Sequence, residues 1–263
     1  MEAANIRPPA VAGMFYPGDA SELALEVAGM MGEATRGGQR PKALIVPHAG
    51  YIYSGPVAAS AYALLEPLRR EVKRVVMFGP THRVAVRGLA VPTATGFATP
   101  LGTVPIDRGA LSRAAALPQV QASDEAHALE HSLEVQLPFL QTVLDDFSLA
   151  PFAVGYASAH EVAEVMELLW DGPETLIVVS SDLSHYHPYG AAQRLDRHTA
   201  DAILGLQSLA DHEQACGATP INGLIEAARR RGLQPTLLDL RNSGDTAGDR
   251  SRVVGYAAFA FTE

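Results

Sequence analysis

Three apolar runs in this sequence each end in a polar group that carries histidine. Ala43-Leu44-Ile45-Val46-Pro47 leads to His48-Ala49-Gly50-Tyr51, Val75-Val76-Met77-Phe78-Gly79-Pro80 to Thr81-His82-Arg83, and Leu176-Ile177-Val178-Val179-Ser180-Ser181 to Asp182-Leu183-Ser184-His185-Tyr186-His187. Short apolar runs without polar alternation read as strands buried on both faces, the pattern of a sheet covered by helices. Open α/β sheets bind ligands beyond the carboxyl ends of their strands. If these strands are parallel neighbours, their polar ends converge on one pocket.

The rest of the chain alternates in the same way. Helices are expected over 21–32, Val57–Leu68, Asp107–Ala116, 124–137, 159–169, 189–207 and 221–231. Further strands are expected at Lys42–Val46, Lys73–Phe78, Leu149–Val154, Thr175–Val179, Pro235–Leu240 and Arg252–Phe261, with a short extended piece at Val104–Ile106. This order predicts a three-layer α/β/α fold around a largely parallel or mixed central sheet. The most linker-like stretch, Arg36–Pro41, is too short to divide domains, so residues 1–263 read as one domain.

Composition removes whole classes of function. Hydrophobic residues at 48% and charged residues at 19% exclude a mainly disordered chain, a collagen and a coiled coil. A net charge of −9 argues against a phosphate-backbone binder, so no nucleic acid is expected as partner. No apolar run approaches the roughly 20 residues of a bilayer span, and Met1–Ala10 lacks a signal-type apolar core, so no membrane partner and a cytoplasmic location are expected. The single cysteine, Cys216, excludes an internal disulfide and a four-cysteine zinc site.

Histidine is then the main chemical clue, since neutral imidazole binds metals and also works as acid or base near pH 7. Cys216 precedes Thr219 and Pro220, a good cap and first-turn pair, and a thiol before a helix start has its thiolate favoured by the dipole. It reads equally well as a small buried hydrophobe. His127-Ala128-Leu129-Glu130-His131 matches the H-x-x-E-H pattern of one class of zinc peptidases, which requires both histidines on one helix face. The pattern is short, and Glu130 and Glu134 on the same helix also suit a polar surface. His131 and Glu134 are alternatively groups that point into the pocket behind the first ligands. The 242–249 segment reads as a turn, and its acids as a candidate rim. No glycine-rich phosphate loop and no Gly-x-Ser-x-Gly elbow occurs.

Taken together, several segments resemble the Memo family. They are Arg7-Pro8-Pro9-Ala10-Val11-Ala12-Gly13-Met14-Phe15-Tyr16-Pro17, Pro47–Tyr51, Gly79-Pro80-Thr81-His82, Glu130-His131-Ser132-Leu133-Glu134, Ser180–His185, Cys216-Gly217 with Pro220-Ile221, and Ser243-Gly244-Asp245. The matches run in order over nearly the whole chain. In bacteria and archaea the family is called the B protein of the AmmeMemoRadiSam system.

The resemblance implies a fold similar to the class III extradiol dioxygenases and a metal site on His48, His82 and Cys216. It implies Fe(II) as the expected ion, with copper or zinc as alternatives. His185 then takes the place of the acid or base, Asp182 orients it or accepts a substrate hydroxyl, and Tyr51, Phe15 and His131 face the substrate. The expected ligand is a small molecule or peptide in the strand-end pocket. A homodimer is one expected state, and the family name implies a radical-SAM system partner. Animal relatives carry Trp where this chain has Phe15 and Tyr186, and the dioxygenases carry a carboxylate where this chain offers Cys216. Three functions are thus weighed: a metal-dependent oxidoreductase, a metal- or peptide-binding protein without turnover, and a thiol hydrolase with Cys216 as nucleophile.

Overall fold

The computed structural model describes residues 5–35, 37, 38 and 40–263. Met1–Ala4 of the N-terminal stretch, and Arg36 and Gln39 of the Arg36–Pro41 loop, lie outside the described residues. In chain order the strands are Ile6–Arg7 (β1), Ala43–Val46 (β2), Arg74–Pro80 (β3), Leu89–Val91 (β4), Gly96–Thr99 (β5), Gly102–Pro105 (β6), Val120–Ala122 (β7), Ser148–Val154 (β8), Thr175–Ser180 (β9), His185–His187 (β10), Gln234–Asn242 (β11) and Val253–Thr262 (β12). The helices are Ala20–Glu33 (α1), Tyr51–Tyr62 (α2), Arg108–Ala114 (α3), Asp124–Ala128 (α4), Leu137–Val143 (α5), Ala159–Leu168 (α6), Tyr189–Leu204 (α7), Ala218–Arg231 (α8) and Ser243–Thr246 (α9).

The main sheet runs β10-β12-β2-β9-β3-β8-β4-β7, with β11 also paired to β12, and β1-β5-β6 form a small second sheet. Its centre, β2-β9-β3-β8, is parallel, and β12 and β11 extend it antiparallel. These central strands are buried almost end to end, as their unbroken apolar sequences require. One group of helices, α1, α2 and α5, packs together on one face, and α3, α6 and α8 pack on the other. The carboxyl ends of β2, β9 and β3 are adjacent, so His48, Asp182 and His82 leave the same sheet edge side by side.

The expected helix over 124–137 is not continuous. Its first turn is capped by Ser123, but α4 stops at Ala128, and Leu137 begins α5 after a short 3-10 turn. The break is tertiary. Arg7, from β1, donates to the carbonyls of His127 (2.6 Å) and Glu130 (2.7 Å) and to the Glu134 carboxylate (2.6 Å). The guanidinium replaces the donors that the next helical turn would have supplied. Glu134 is fully buried and also accepts from Tyr16 and from the Ala10 and Val11 amides.

Two smaller differences have local causes. Helix α2 starts at Tyr51 rather than Val57, with Pro56 inside it. Helix α8 starts at Ala218 with Gly217 as its cap, so Thr219 and Pro220 lie inside the first turn. Gly217 is needed there because a Cβ would come 2.7 Å from the Ser181 Cβ and 2.9 Å from the Ser180 carbonyl. The 242–249 segment is not a bare turn: Asn242 and Asp245 form a capping box around α9. Among the described residues no helix is long and apolar enough to cross a membrane.

Candidate metal centre

His48 follows β2 and is 2% exposed. Its backbone amide donates to Asp182 Oδ1 at 2.7 Å, which ties the ends of β2 and β9 together. Its ring Nδ1 lies 2.9 Å from Ser180 Oγ. The direction of that bond can be deduced. The Ser180 hydroxyl gives its one proton to the Ser132 carbonyl (2.6 Å) and already accepts from Gln136 Nε2 (2.8 Å). Toward His48 it can therefore only accept, so Nδ1 carries the imidazole proton and Nε2 carries the lone pair. Gln136 is held in turn by Tyr62, whose hydroxyl donates to Gln136 Oε1 at 2.9 Å.

His82 is fixed by the same logic. Glu130 accepts from the His82 backbone amide (2.6 Å) and from His82 Nδ1 (2.8 Å). A carboxylate only accepts, so Nδ1 of His82 carries a proton and Nε2 is the ring nitrogen left to face the cluster. Burial alone would raise the Glu130 carboxyl, but the His82 hydrogen bonds and charge outweigh it and hold the group down at about 2. His131 lies 3.4 Å from the same carboxylate through Nδ1.

The rings of His48, His82 and His131 have centroids 4.6–5.4 Å apart, and one nitrogen from each falls within 4.8 Å of the others. Burial, then the neighbouring imidazoles, push His48 far below its ordinary range. Burial likewise lowers His131 to about 4. Both are neutral near pH 7, the form that binds a metal. Such a cluster of neutral imidazoles with carboxylate and hydroxyl groups behind it could hold a metal ion.

The remaining expected site residues fall as follows. Cys216 Sγ is 3.3 Å from His48 Nε2 and 3.8 Å from Ser181 Oγ. The helix dipole does not leave it ionised: burial, with Asp182 adding, pushes the thiol up to about 12. Asp182 is buried and raised to about 7 by that burial, against the hydrogen bonds from His48 and Ala49. Its bonding partner is the His48 backbone rather than the His185 ring. His185 is half-buried at the start of β10, and burial, then His82 and His187, lower its pKa. Phe15 stands against His131 with ring centroids 4.8 Å apart. Tyr51 is not at the mouth. It is 3% exposed, its hydroxyl donates to the Val135 carbonyl at 2.6 Å, and its ring packs on Tyr16 and Phe139 behind the pocket.

The peptidase reading fails on geometry. With the helix ended at Ala128, His127 and His131 share no face. His127 is buried against Phe97 with Nε2 on the Ala90 carbonyl at 3.0 Å, while His131 joins the cluster. Glu130 and Glu134 are buried hydrogen-bond acceptors rather than a polar surface. Glu130, Ser180 and Gln136 hold the histidines of the cluster in place, a part that the sequence did not assign to them. A cleft of about 480 Å³ opens beside the cluster, lined by His82 and Cys216 on one side and Arg83, Tyr156 and His212 on the other.

A model of the Memo-like protein family matches residues 7–260. A MEMO1 family protein of Aquifex aeolicus is 37% identical over 271 residues, covering 98% of this chain and 99% of that protein. One from Methanosarcina barkeri is 36% identical over 267 residues, covering 96% and 98%. Among solved structures, an uncharacterized Escherichia coli K12 protein, JW3007, superposes with a TM-score of 0.54 at 17% identity, over 83% of this chain and 99% of its own. At that identity the likeness concerns the fold.

Proposed function

This chain belongs to the Memo-like family, and from that premise we propose that it is a metal-dependent oxidoreductase. His48, His82 and Cys216 hold the metal, Fe(II) by first expectation, within a single domain spanning residues 1–263. The observation that carries this reading is the convergence of donors. A fixed bond at Nδ1 of both His48 and His82 leaves Nε2 of each as the nitrogen facing the cluster, and Cys216 Sγ stands 3.3 Å from that of His48.

Two imidazoles and one anionic donor with open positions suit Fe(II), and the softer thiolate also admits copper or zinc. When bound, such an ion supplies Lewis acidity, and iron or copper adds one-electron redox capacity. Ionising a thiol of pKa about 12 at pH 7 costs about 7 kcal/mol. Structural zinc sites release roughly 10–16 kcal/mol on binding, so a metal–sulfur bond offsets that cost. A hydrolase would need the thiolate without that help, beside an imidazole that itself resists a proton.

The chain's own groups divide the remaining work. His185 is neutral near pH 7 and close enough to His82 to feel its charge, so it can take a proton from a substrate hydroxyl. Asp182 holds the His48 turn against β9. His131 and Phe15 border the open side, where His131 offers a hydrogen bond and Phe15 a ring face. The neighbouring cleft has room for a small ligand.

The test is elemental analysis of protein purified anaerobically without chelator. Near-stoichiometric iron or copper is expected in wild type, absent in His48→Ala and reduced in Cys216→Ser, with unchanged far-UV dichroism. Full metal occupancy in either variant would overturn the assignment.

A further inference from the structure

A second cleft, of about 540 Å³, lies between α7 and the carboxyl end of β11, and shares no residue with the histidine cluster. Arg194 and Arg197 line it from α7, and Arg241 and Asn242 from β11. Positions three apart on a helix are surface neighbours, so Arg194 and Arg197 present two like charges side by side, which weakens an isolated helix. Among the described residues, neither guanidinium has an ion pair or hydrogen bond to answer it. Most other arginines of the chain are engaged, as Arg69 is with Asp145 and Arg231 with Glu167. In a protein of net charge −9 an acidic partner would be easy to supply.

The other groups around the cleft are accounted for. Arg241 is paired with Asp239 at 2.6 and 3.0 Å and still faces the cleft. Arg250 lies over the Tyr189 ring, 4.4 Å from its centroid, and adds positive charge next door. Of the two carboxylates present, Asp245 is taken up by the Tyr189 hydroxyl and the Asn242 amide. Asp196 is turned inward: Oδ1 accepts from the Ser184 amide at 3.0 Å, while Oδ2 is buried against Gly255 with no hydrogen-bond partner among the described residues. Asn242 is 1% exposed and uses Oδ1 to cap Gly244, and its Nδ2 has no acceptor among the described residues. What remains unpaired is two exposed guanidinium groups and the Asn242 amide nitrogen, with the buried Asp196 Oδ2 as the one unpaired acceptor behind them.

We propose that this cleft binds a small, multiply charged oxyanion, either a diphosphate-type group or a clustered carboxylate. Arg194 and Arg197 grip it bidentately, and Asn242 and Arg241 complete the donor ring. The cleft is larger than one tetrahedral anion needs, which favours a ligand with more than one charged group. Strand β11 is antiparallel to β12, and β12 to β2, so Asn242 and His48 end on the same edge of the sheet. The anion therefore enters from the side of the molecule on which the histidine pocket opens.

Calorimetric titration of the full chain with inorganic pyrophosphate, and separately with citrate, tests this. Saturable binding of at least one probe is expected, weakened about tenfold or more in Arg194→Gln/Arg197→Gln. The tighter probe names the chemistry of the ligand. A double variant of equal charge elsewhere, Arg70→Gln/Arg229→Gln, should keep wild-type affinity. No saturable binding at millimolar probe, an undiminished affinity in the Arg194/Arg197 variant, or an equal loss in the Arg70/Arg229 variant would each overturn the proposal. The same melting temperature and metal content in all three proteins verify that the cleft alone has changed.

Discussion

Metal binding should release one proton more if Cys216 is the third ligand than if His131 takes that place. The structure sets the size of the difference. His48 and His131 are held neutral, His131 with a pKa of about 4, so neither has a proton to lose at pH 7 or above. Cys216, at about 12, must lose one to bind. With the thiolate as ligand, the apparent affinity rises tenfold per pH unit. From pH 7 to pH 9 that is about 100-fold, or about 2.7 kcal/mol. The assay is Co²⁺ or Zn²⁺ titration against a chelator whose own protonation is corrected, with calorimetry in two buffers of different ionisation enthalpy to count protons. Wild type should show a slope and a proton release each greater by one than those of Cys216→Ser. Equal slopes and equal proton release in wild type and Cys216→Ser would refute the cysteine assignment and hand the position to His131.

Other outcomes follow from the same geometry. Glu130→Gln offers an amide where His82 needs an acceptor and should cost about 10–100-fold in metal affinity, read by the same competition, while the fold persists. Arg7→Leu leaves Glu134 buried without its cation and should destabilise the protein by roughly 3–5 kcal/mol in denaturant melts, with loss of metal affinity as the His131 loop loosens. Asp182 titrates near 7 in the metal-free fold against an ordinary 3.8, so between those values the folded chain keeps a proton the unfolded chain has released. Asp182 therefore contributes a loss of stability to the metal-free protein as pH rises from about 4 to about 7, opposed by the buried neutral His48 and His131, and the contribution is read as the difference between the wild-type and Asp182→Asn slopes in urea melts at stepped pH.

The strands that place the site were readable because burial on both faces leaves an unbroken apolar run, and β2, β3 and β9 each end where the polar residues begin. His48, His82 and Asp182 could be collected from those ends, whereas Cys216 joined them only through the family resemblance. The 124–137 segment misled for the opposite reason. Its local sequence favours a continuous helix, and the residue that stops it, Arg7, lies 123 positions from the Glu130 carbonyl it binds. With the helix broken, His131 swings into the cluster and Glu130 turns to His82, neither of which periodicity can express. Gln136 was hidden among apolar neighbours, and although Ser180 opens a polar stretch, only the fold brings the two to 2.8 Å. Tyr51 follows His48 closely and so reads as a pocket residue, yet the start of α2 carries it into the core.

The strand order has a consequence for how the protein is made. Strands β2 and β3 are consecutive among the central parallel strands, yet β9 lies between them, so the emerging chain carries two apolar strands with a gap that a much later segment must fill. His48 and Cys216 are 168 positions apart. At about 5–20 residues per second, a ribosome needs roughly 8–34 s to cover that span. If Cys216 is the third ligand, no half-synthesised chain holds the full donor set, whereas His48, His82 and His131 are all made before it. Until β9 fills the gap, the exposed edges of β2 and β3 are the surfaces on which a chaperone, or a neighbouring nascent chain, would settle first.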